Sequence, residues 1–508
     1  MTSGGAVDML VIGGGINGAG IARDAAGRGL SVVLCEQGDL GCATSSASSK
    51  LIHGGLRYLE HYKFGLVRES LAEREVLLNN APHLIFPLRF VLPHTASQRP
   101  AWLIRAGLFL YDHLGGRRHL PGSRRLDLAT HPAGVPLRPE FTRGFAYSDC
   151  SVDDSRLVVL NALGAAELGA TIRPRTRCES ARRDGAEWLA ALRDLRSGAQ
   201  TTVRARILVN ATGPWTGRVL ERTIGIERGK CPRLVKGSHI VVQRQYDGAH
   251  AYLLQNVDRR IVFVIPYERG FTLIGTTEVP FDGDPAEARI DAAETAYLCA
   301  AVGRFFTRPV TPDDVLWSFA GVRPLFDDAS EDPAAVTREY VLDLDAGPEK
   351  PPLLSVFGGK ITTYRRLAER ALDMLRPYIP VAGAPWTALE PLPGGDLPDA
   401  DFERFSSALC RGRPWLPTDL AQRYARAYGT RTEALLGDAR SVDDLGRDFG
   451  AGLHEREVAY LASNEWAATA EDILWRRSKL GLHAPKETAA ALDGWLAGNA
   501  AGARLSAQ

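Results

Sequence analysis

The first forty residues hold a glycine-rich turn between two short apolar runs, and this arrangement constrains the fold more than any other feature of the chain. Residues 9–12 form one apolar run, residues 16–28 have the apolar spacing of a helix that ends at Gly29, and residues 31–35 form a second apolar run. Strand, helix and strand in this order are a βαβ unit, whose two strands lie parallel in one sheet with a right-handed crossover. An α/β fold is therefore predicted.

The turn itself fits the G-x-G-x-x-G fingerprint, and Glu36 ends the second predicted strand. The fingerprint residues are Gly13, Gly14, Gly15, Ile16, Asn17 and Gly18. Glycines let the backbone turn sharply and approach a pyrophosphate at the helix N-terminus, while the acidic residue accepts a hydrogen bond from a ribose hydroxyl. A dinucleotide cofactor is predicted; the alternative is a glycine-rich turn without ligand. The fingerprint alone does not separate NAD from FAD.

Two later segments favour FAD; the alternative for each is an ordinary strand and turn. Residues 207–213 form a strand that ends in a turn resembling the second sheet contact of the large FAD-binding oxidoreductases, and residues 355–363 form a strand, a glycine turn and a helix start. A helix N-terminus there could stabilise negative charge on a reduced flavin. Residues 43–58 bring hydroxyls and small side chains that allow close approach to phosphates and ribityl oxygens. The cofactor contacts predicted in these segments are Thr44, Ser45, Ser46, Ser48, Ser49, Lys50, Ala211, Thr212, Gly213, Gly358, Gly359, Lys360, Ile361 and Thr362. Noncovalent FAD is predicted, because no cysteine or histidine lies in a recognised attachment motif.

Charge and cysteine content exclude several classes of protein. The 61 basic and 60 acidic side chains leave a net charge of +1, so no global field attracts nucleic acid, and no nucleic-acid partner is expected. The seven scattered cysteines show no metal-ligand spacing, so no metal site is predicted and the thiols are interpreted as reduced and intracellular. All apolar runs are far shorter than the ~20 residues that span a bilayer, and the N-terminus does not resemble a signal peptide.

Residues 86–125 differ from the rest of the chain. They contain seven arginines, three histidines and one acidic residue around the apolar stretch 101–111. Apolar side chains beside clustered arginines are typical of a helix that lies in a membrane interface; the alternative is a solvated arginine-rich face. The protein is predicted to be cytoplasmic and to attach to an anionic lipid surface on the inner face of the cell membrane. Trp102, Phe109 and Leu110 are predicted to enter the lipid.

Several further motifs resemble those of the FAD-dependent, respiratory glycerol-3-phosphate dehydrogenases of bacteria. They lie at residues 48–58, 236–239, 275–277, 321–324, 357–360 and 472–479. The resemblance runs from about Val7 to the final helices. It implies an α/β fold, α+β overall, with a Rossmann-like FAD-binding domain of the D-amino-acid-oxidase and glutathione-reductase type, an antiparallel-sheet substrate domain and a helical C-terminal domain. The implied segments are 1–60, 146–230 and 345–386 for the FAD domain, 61–145 and 231–344 for the substrate domain, and 387–508 for the C-terminal domain.

The resemblance also implies the chemistry: oxidation of sn-glycerol 3-phosphate to dihydroxyacetone phosphate, with the electrons passed on to a membrane quinone. Flavin N5 accepts the hydride, since no amino-acid side chain can. A largely dianionic phosphate needs fixed forks of donors, which arginine supplies. By resemblance the phosphate ligands are Arg57, Tyr58, Arg323 and Arg338, and Thr276 contacts the substrate hydroxyls.

A base must take the hydroxyl proton. His53 and His239 are the candidates, because an imidazole with a pKa near 6.5 can accept a proton at working pH. The other interpretation of His239 is a hydrogen-bonded core residue. Lys360 and Arg323 could polarise the developing alkoxide.

Three other functions are weighed. An oxidase of the same substrate would use oxygen, but such relatives carry an added segment that the short 343–352 connection lacks. An amine or amino-acid oxidase would not need the phosphate element at Arg57 and Tyr58. A nucleotide-binding module without turnover would not keep base, phosphate and flavin groups together. A homodimer is expected from the resemblance, and Trp475, Arg476 and Arg477 are expected to be core or surface helix residues.

Overall fold

The structure is a computed structural model that describes residues 5–95, 98–116, 119–226, 233–258, 260–325, 340–379 and 383–505, with side chains described up to 499. The strands are β1 (Val7–Ile12), β2 (Val32–Cys35), β3 (Leu51–Ile52), β4 (Ile85–His94), β5 (Arg124–Asp127), β6 (Arg143–Val152), β7 (Thr171–Arg173), β8 (Thr176–Asp184), β9 (Glu187–Asp194), β10 (Gln200–Asn210), β11 (Arg233–Gln243), β12 (Ala251–Gln255), β13 (Ile261–Tyr267), β14 (Phe271–Gly275), β15 (Val279–Pro280), β16 (Val315–Leu325), β17 (Val341–Gly347) and β18 (Lys350–Phe357). The α-helices are α1 (Ile16–Gly27), α2 (Phe64–Asn80), α3 (Ala101–Leu114), α4 (Asp154–Glu167), α5 (Thr216–Val219), α6 (Ala292–Gly303), α7 (Tyr364–Leu375), α8 (Phe402–Gly412), α9 (Thr418–Tyr428), α10 (Thr432–Leu436), α11 (Glu455–Asn464) and α12 (Thr488–Leu505).

The first sheet contains the predicted βαβ unit. Its strand order is β17-β18-β10-β1-β2-β7, and the β8–β9 hairpin pairs with β10. β1 is parallel to both β2 and β10, so Cys35 and Asn210 each pair with Ile12 at the same edge of the sheet. The parallel βαβ prediction is confirmed, and the C-terminal ends of the central strands meet where ligands bind in open α/β sheets.

Helices α1, α4 and α7 cover one face of this sheet. Side chains such as Ile21, Val158 and Leu372 are fully buried there in one hydrophobic cluster. Gly20 allows the close packing of α1 on α7, because a Cβ at Gly20 would lie 2.7 Å from the ring of Tyr364. The Rossmann-like half therefore rests on a dry helical layer, with its strand ends free for a ligand.

The second sheet is mainly antiparallel and has the order β15-β11-β14-β13-β12-β4-β6-β3, with β16 beside β11 and β5 beside β6. Helix α6 covers one face, and Asp291 starts it with a capping box that Glu294 completes. Helices α2 and α3 pack on the other face through residues such as Leu71 and Leu108. This arrangement confirms the predicted antiparallel second layer.

Helices α8–α12 form a separate hydrophobic core at the C-terminus. Buried ion pairs join this domain to the first sheet, among them Arg156 with Glu465 and Arg477 with Asp39. None of the helices that the structure describes is long and apolar enough to cross a bilayer.

Several predicted segments divide differently in the structure. β3 and β6 both belong to the second sheet, so the predicted boundary at 146 falls inside β6, whereas β17 already lies in the first sheet before residue 345. The 343–352 connection is a hairpin of the first sheet, and its length therefore says nothing about the substrate half. The membrane-facing region 86–125 is also too broad, because β4 is a largely buried strand and only the part around α3 is exposed.

Candidate active site

A cavity of about 1380 Å³ opens between the two sheets and extends along the C-terminal ends of β1, β2 and β10. At one end it is lined by Glu36 and Cys42, and at the other by Gly358, Lys360 and Arg323. All the predicted cofactor contacts line this cavity except Gly14, Gly18 and Lys50. The motifs that are far apart in sequence therefore meet around one elongated space.

The glycine turn is shaped for a ligand that approaches the backbone closely. Gly13 has φ 111°, and a Cβ there would lie 2.5 Å from the carbonyl oxygen of Ala211. A Cβ at Gly18 would lie 1.9 Å from the carbonyl oxygen of Gly13, so this glycine lets α1 start directly behind the turn. Gly14 and Gly18 therefore act on the shape of the turn and do not face the cavity.

Asn17 connects the two ends of the chain that form the site. Its Nδ2 donates to the carbonyl oxygen of Gly358 over 3.1 Å, while its buried Oδ1 has no hydrogen-bond partner among the described residues. Buried polar atoms are normally paired. This oxygen on the cavity wall fits a donor supplied by a bound cofactor.

Glu36 sits at the end of β2 with both carboxylate oxygens held by backbone amides. Gly14 N donates to Oε2 and Gly38 N donates to Oε1, each over 2.7 Å. Burial raises the pKa of Glu36, and these amide hydrogen bonds oppose that rise. Each carboxylate oxygen keeps a further acceptor site, so Glu36 can still accept a ribose hydroxyl.

The serine-rich segment lies against the glycine turn. Ser45 Oγ accepts a hydrogen bond from Ile16 N over 3.0 Å, and Thr44 Oγ1 donates to the carbonyl oxygen of Val322 over 2.7 Å. Lys50 was predicted to contact the cofactor, but it does not line the cavity. Its buried ammonium group instead lies 2.9 Å from Asp154 Oδ2, where a charge removed from water finds its partner.

The far end of the cavity brings together five of the residues predicted for substrate chemistry: His53, Tyr58, Thr276, Arg323 and Lys360. Arg323 Nη2 donates to Thr276 Oγ1 over 3.2 Å, and Lys360 Nζ lies 3.7 Å from the centre of the Tyr58 ring. The backbone N of His53 donates to Thr362 Oγ1 over 3.2 Å. An anion with hydroxyl groups would meet two cations, two hydroxyls and an imidazole here.

Glu278 is a residue of this site that the sequence motifs did not reveal. Its Oε1 lies 3.4 Å from Arg323 Nη1 and its Oε2 lies 3.7 Å from Arg57 Nη1. Arg57 is not among the residues that line the cavity, but Glu278 holds it beside Arg323. The only sequence signal for Glu278 is its place directly after the 275–277 motif. Arg338 lies outside the described residues.

The structure places His239 in the protein interior and not among the residues that line the cavity. The side chain is 1% exposed, stacks on Phe319 with ring centres 4.9 Å apart, and places Nε2 2.9 Å from Ser49 Oγ. Burial and the nearby charge of Arg323 lower the pKa of His239 to about 3. These surroundings favour the alternative interpretation of a hydrogen-bonded core histidine, and His53 is the candidate base that lines the cavity.

The C-terminal domain also reaches the cavity, which was not expected. Glu471, Trp475, Arg476 and Lys479 line it together with the residues of the other two domains. Trp475 and Arg476 are helix residues as predicted but also line the cavity, whereas Arg477 is fully buried as a partner of Asp39. No pattern in the sequence pairs these residues with the first sheet.

Comparisons with known proteins agree with this geometry. A family model described as FAD dependent oxidoreductase matches residues 8–365, and one described as the C-terminal domain of alpha-glycerophosphate oxidase matches residues 386–499. The chain is 58% identical to a glycerol-3-phosphate dehydrogenase of Pseudomonas aeruginosa over 94% of this chain and 92% of that protein. It is 54% identical to the D-erythritol 1-phosphate dehydrogenase of Brucella abortus over 96% of this chain and 97% of that protein.

A solved structure shows the same fold with the cofactor present. The glycerol-3-phosphate dehydrogenase of Bacillus halodurans in complex with FAD superposes with a TM-score of 0.76 at 29% identity, covering 94% of this chain and 87% of that chain. The fold, the cavity and the fingerprint all fit FAD as the cofactor. The chain therefore belongs to the FAD-dependent oxidoreductases and, within them, to the family of the bacterial FAD-dependent glycerol-3-phosphate dehydrogenases.

Proposed function

We propose that this chain oxidises sn-glycerol 3-phosphate to dihydroxyacetone phosphate and that the electrons pass from FAD to a membrane quinone. The observation that carries the proposal is the placement of Arg323, Thr276 and His53 around the end of a FAD cavity. Arginine forks bind phosphate with two parallel hydrogen bonds. Two relatives named as polyol-phosphate dehydrogenases support the same class of substrate.

In this proposal Arg323 binds the substrate phosphate, and Tyr58 and Thr276 orient the polyol beside it. Arg57 does not line the cavity and acts in this proposal through Glu278, which pairs with both arginines. When bound, the flavin supplies the acceptor for the hydride that leaves C2 of the substrate. Fixed charges in a site shielded from water cost no reorganisation during the reaction, so these contacts serve orientation as well as affinity.

His53 takes the hydroxyl proton in this proposal. Its backbone is fixed by Thr362 Oγ1, and its ring meets the edge of Phe263 with centres 6.4 Å apart. The ammonium group of Lys360 lies on the same wall and stabilises the alkoxide that forms. Proton acceptance by a positioned imidazole typically contributes about 10²- to 10⁴-fold to the rate.

Helix α3 is proposed to attach the protein to the inner face of the cell membrane. Trp102 is 72% exposed and Phe109 is 56% exposed, while Leu108 and Tyr111 point into the second sheet. Exposed Arg124 and Arg125 follow shortly afterwards in the chain. Apolar side chains flanked by basic groups suit an anionic interface. A homodimer on that surface belongs to the same proposal and rests on the family resemblance.

D-Erythritol 1-phosphate is a second candidate substrate, because the Brucella relative covers nearly the whole chain at 54% identity. Both polyol phosphates offer a phosphate and an oxidisable hydroxyl to the same residues. The two differ by one carbon with its hydroxyl. The structure gives this candidate the same cavity, and the experiment below compares the two compounds directly.

The test is the visible spectrum of the purified, FAD-loaded protein under anaerobic conditions. Addition of sn-glycerol 3-phosphate should bleach the flavin, and dihydroxyacetone phosphate should appear in equal amount. A soluble quinone should restore the colour faster than oxygen does. Faster bleaching by D-erythritol 1-phosphate would identify that compound as the preferred substrate. Faster recovery of the colour with oxygen would identify oxygen as the electron acceptor. No bleaching by either compound would contradict the proposal.

A further inference from the structure

We infer that the C-terminal domain is part of the FAD site: the segment from Glu471 to Lys479 closes the adenosine end of the cavity, and Arg476 faces the cofactor there. Arg476 lies beside the turn that follows β2. Arg476 Nε donates to Asp39 Oδ2 over 2.7 Å, and Asp39 follows Glu36 by three residues. The segment therefore docks beside the group expected to hold the ribose. This inference does not depend on the identity of the substrate.

Arg476 has donors left for a ligand. Its guanidinium group donates to Asp39, to Glu471 Oε1 over 2.7 Å and to Asp472 Oδ1 over 2.6 Å. Arginine carries five N–H groups, so two have no partner among the residues that the structure describes. The side chain is buried yet lines the cavity. Because three carboxylates already balance its charge, its remaining donors suit neutral acceptors such as the ribose hydroxyl oxygens of an adenine dinucleotide.

The segment is held in place from both other domains. Arg477 donates to both oxygens of Asp39 over 2.7 and 2.8 Å, which fixes it to the first sheet. Trp475 stacks on Trp317 of β16 with ring centres 4.3 Å apart, which fixes it to the second sheet. Both tryptophans line the cavity. The segment thus bridges the two layers between which the cofactor lies.

Lys479 adds a link to the serine-rich segment. Its ammonium group lies 3.4 Å from Asp154 Oδ1, and Asp154 also accepts from Ser48 Oγ over 2.8 Å. Because FAD binds where the three domains meet, cofactor binding and docking of the segment must favour each other. This reciprocity follows from linkage between two equilibria on one molecule.

Hydrogen exchange on the full-length protein with and without FAD tests the inference independently of activity. Amides of 471–479 and of 36–49 should exchange at least tenfold more slowly when FAD is bound. Helix α11 (Glu455–Asn464) belongs to the same domain but contributes no residue to the cavity wall, so its exchange should stay unchanged. No protection at 471–479, or equal protection throughout the domain, would overturn the inference.

A variant pair separates cofactor contact from stability of the domain. Arg476→Ala should weaken FAD binding by the apoprotein at least tenfold, measured by fluorescence titration, and Arg476→Lys should recover only part of the loss. Arg423→Ala is the matched control: the partly buried Arg423 forms a fork with the fully buried Glu457, at 2.6 Å on both oxygens, away from the cavity. It should lower the melting temperature and leave the FAD affinity within about threefold of the wild type. Equal losses of FAD in both alanine variants, or wild-type affinity in Arg476→Ala, would contradict the inference.

Discussion

The phenol oxygen of Tyr111 lies 2.8 Å from the backbone nitrogen of Gly54, which donates a hydrogen bond to it. The same hydroxyl donates to Asp149 Oδ2 over 2.7 Å. Tyr111 is on the buried face of α3, and Gly54 follows His53 directly in the chain. The helix with the exposed aromatic side chains is therefore bonded to the turn that carries the proposed base.

We expect Tyr111→Phe to slow the reduction of flavin by substrate several-fold without loss of FAD. The change removes the shorter of two hydrogen bonds from the buried amide of Gly54, which keeps Asp149 Oδ1 as an acceptor at 3.3 Å. One such hydrogen bond is worth about 0.5–1.5 kcal/mol, and the position of His53 becomes less fixed. Stopped-flow absorbance measures the rate, and thermal unfolding measures stability. Tyr246→Phe is the control, since Tyr246 Oη donates to the carbonyl oxygen of His250 elsewhere in the second sheet over 2.6 Å. A wild-type reduction rate in Tyr111→Phe would show that the contact does not position His53.

Arg323→Ala should lose phosphate recognition and keep the flavin. Truncating one partner of a buried charged contact costs about 2–5 kcal/mol, so kcat/KM for glycerol 3-phosphate should fall about 30-fold or more. Steady-state kinetics and the FAD absorbance of the purified variant check both parts. Arg260→Ala, which removes an exposed arginine paired with Asp258, should change neither. If Arg323→Ala still discriminates between glycerol 3-phosphate and glycerol as well as the wild type does, Arg323 does not bind the phosphate.

Acid precipitation should release all yellow colour into the supernatant, because we predict that FAD is bound without a covalent link. The measurement is the absorbance of the supernatant and of the redissolved pellet. Retention of flavin on the polypeptide would disprove this. His53 would then be the first position to examine by mass spectrometry, since it lines the cavity.

His83 should make the protein sensitive to acid. It is fully buried, neither ring nitrogen has a partner among the described residues, and burial together with the charge of Arg156 lowers its pKa to about 3. A lowered pKa means that the unfolded chain binds more protons than the folded chain below pH ~6.5. The free energy of unfolding is therefore unaffected by His83 above pH ~6.5 and decreases progressively as pH falls towards 3. At pH 5 the loss is about 2 kcal/mol.

His83→Leu removes this titration. The fall in melting temperature between pH 7.5 and pH 5.0 should therefore be smaller in the variant than in the wild type, whatever their stabilities at pH 7.5. Differential scanning calorimetry at both pH values gives the comparison. Equal falls in the two proteins would show that His83 does not titrate in this range.

Local features of the sequence were sufficient to predict the first βαβ unit, Glu36 and the three cavity-lining cofactor segments. The unit, Glu36 and two of the segments depend on a strand that ends beside a turn, and the period of the apolar residues places those ends; the serine-rich segment was predicted from its hydroxyls and small side chains. The direction of a side chain was harder to predict. Lys50 has φ 57°, and it turns towards Asp154 instead of the cavity. His239 lies in a strand that is buried on both faces, where alternation does not tell one face from the other.

Contacts between distant parts of the chain could not be predicted from single motifs. Arg476 meets Asp39 across 437 positions, and Arg57 and Arg323 both pair with Glu278. Such pairings depend on how distant segments pack in the folded chain, which neither periodicity nor composition encodes. The family resemblance pointed to the arginines as a set, but it did not show which of them faces the cavity.

Exposed apolar residues of α3 should hold the protein on anionic vesicles together with the nearby arginines. Each basic group near anionic lipid contributes about 1 kcal/mol, and this attraction falls with ionic strength, whereas insertion of apolar side chains does not depend on salt in this way. High salt should therefore weaken attachment without abolishing it. Trp102, Phe109 and Leu110 are each more than 40% exposed. Replacing all three with serine should therefore give a protein that can be released from the vesicles without detergent.

The triple serine variant should still reduce its flavin with substrate at the wild-type rate but should reduce a membrane-dissolved quinone poorly. The matched control replaces Val135, Val257 and Leu389 with serine, because these residues are even more exposed and lie outside α3. Vesicle sedimentation and quinone reduction measure both proteins. Loss of attachment in the control as well would mean that apolar exposure in general, and not α3, determines binding. If the α3 variant stays bound and keeps its quinone rate, the lipid contact lies elsewhere, because a helix without its apolar side chains cannot contribute the salt-independent part of the attachment.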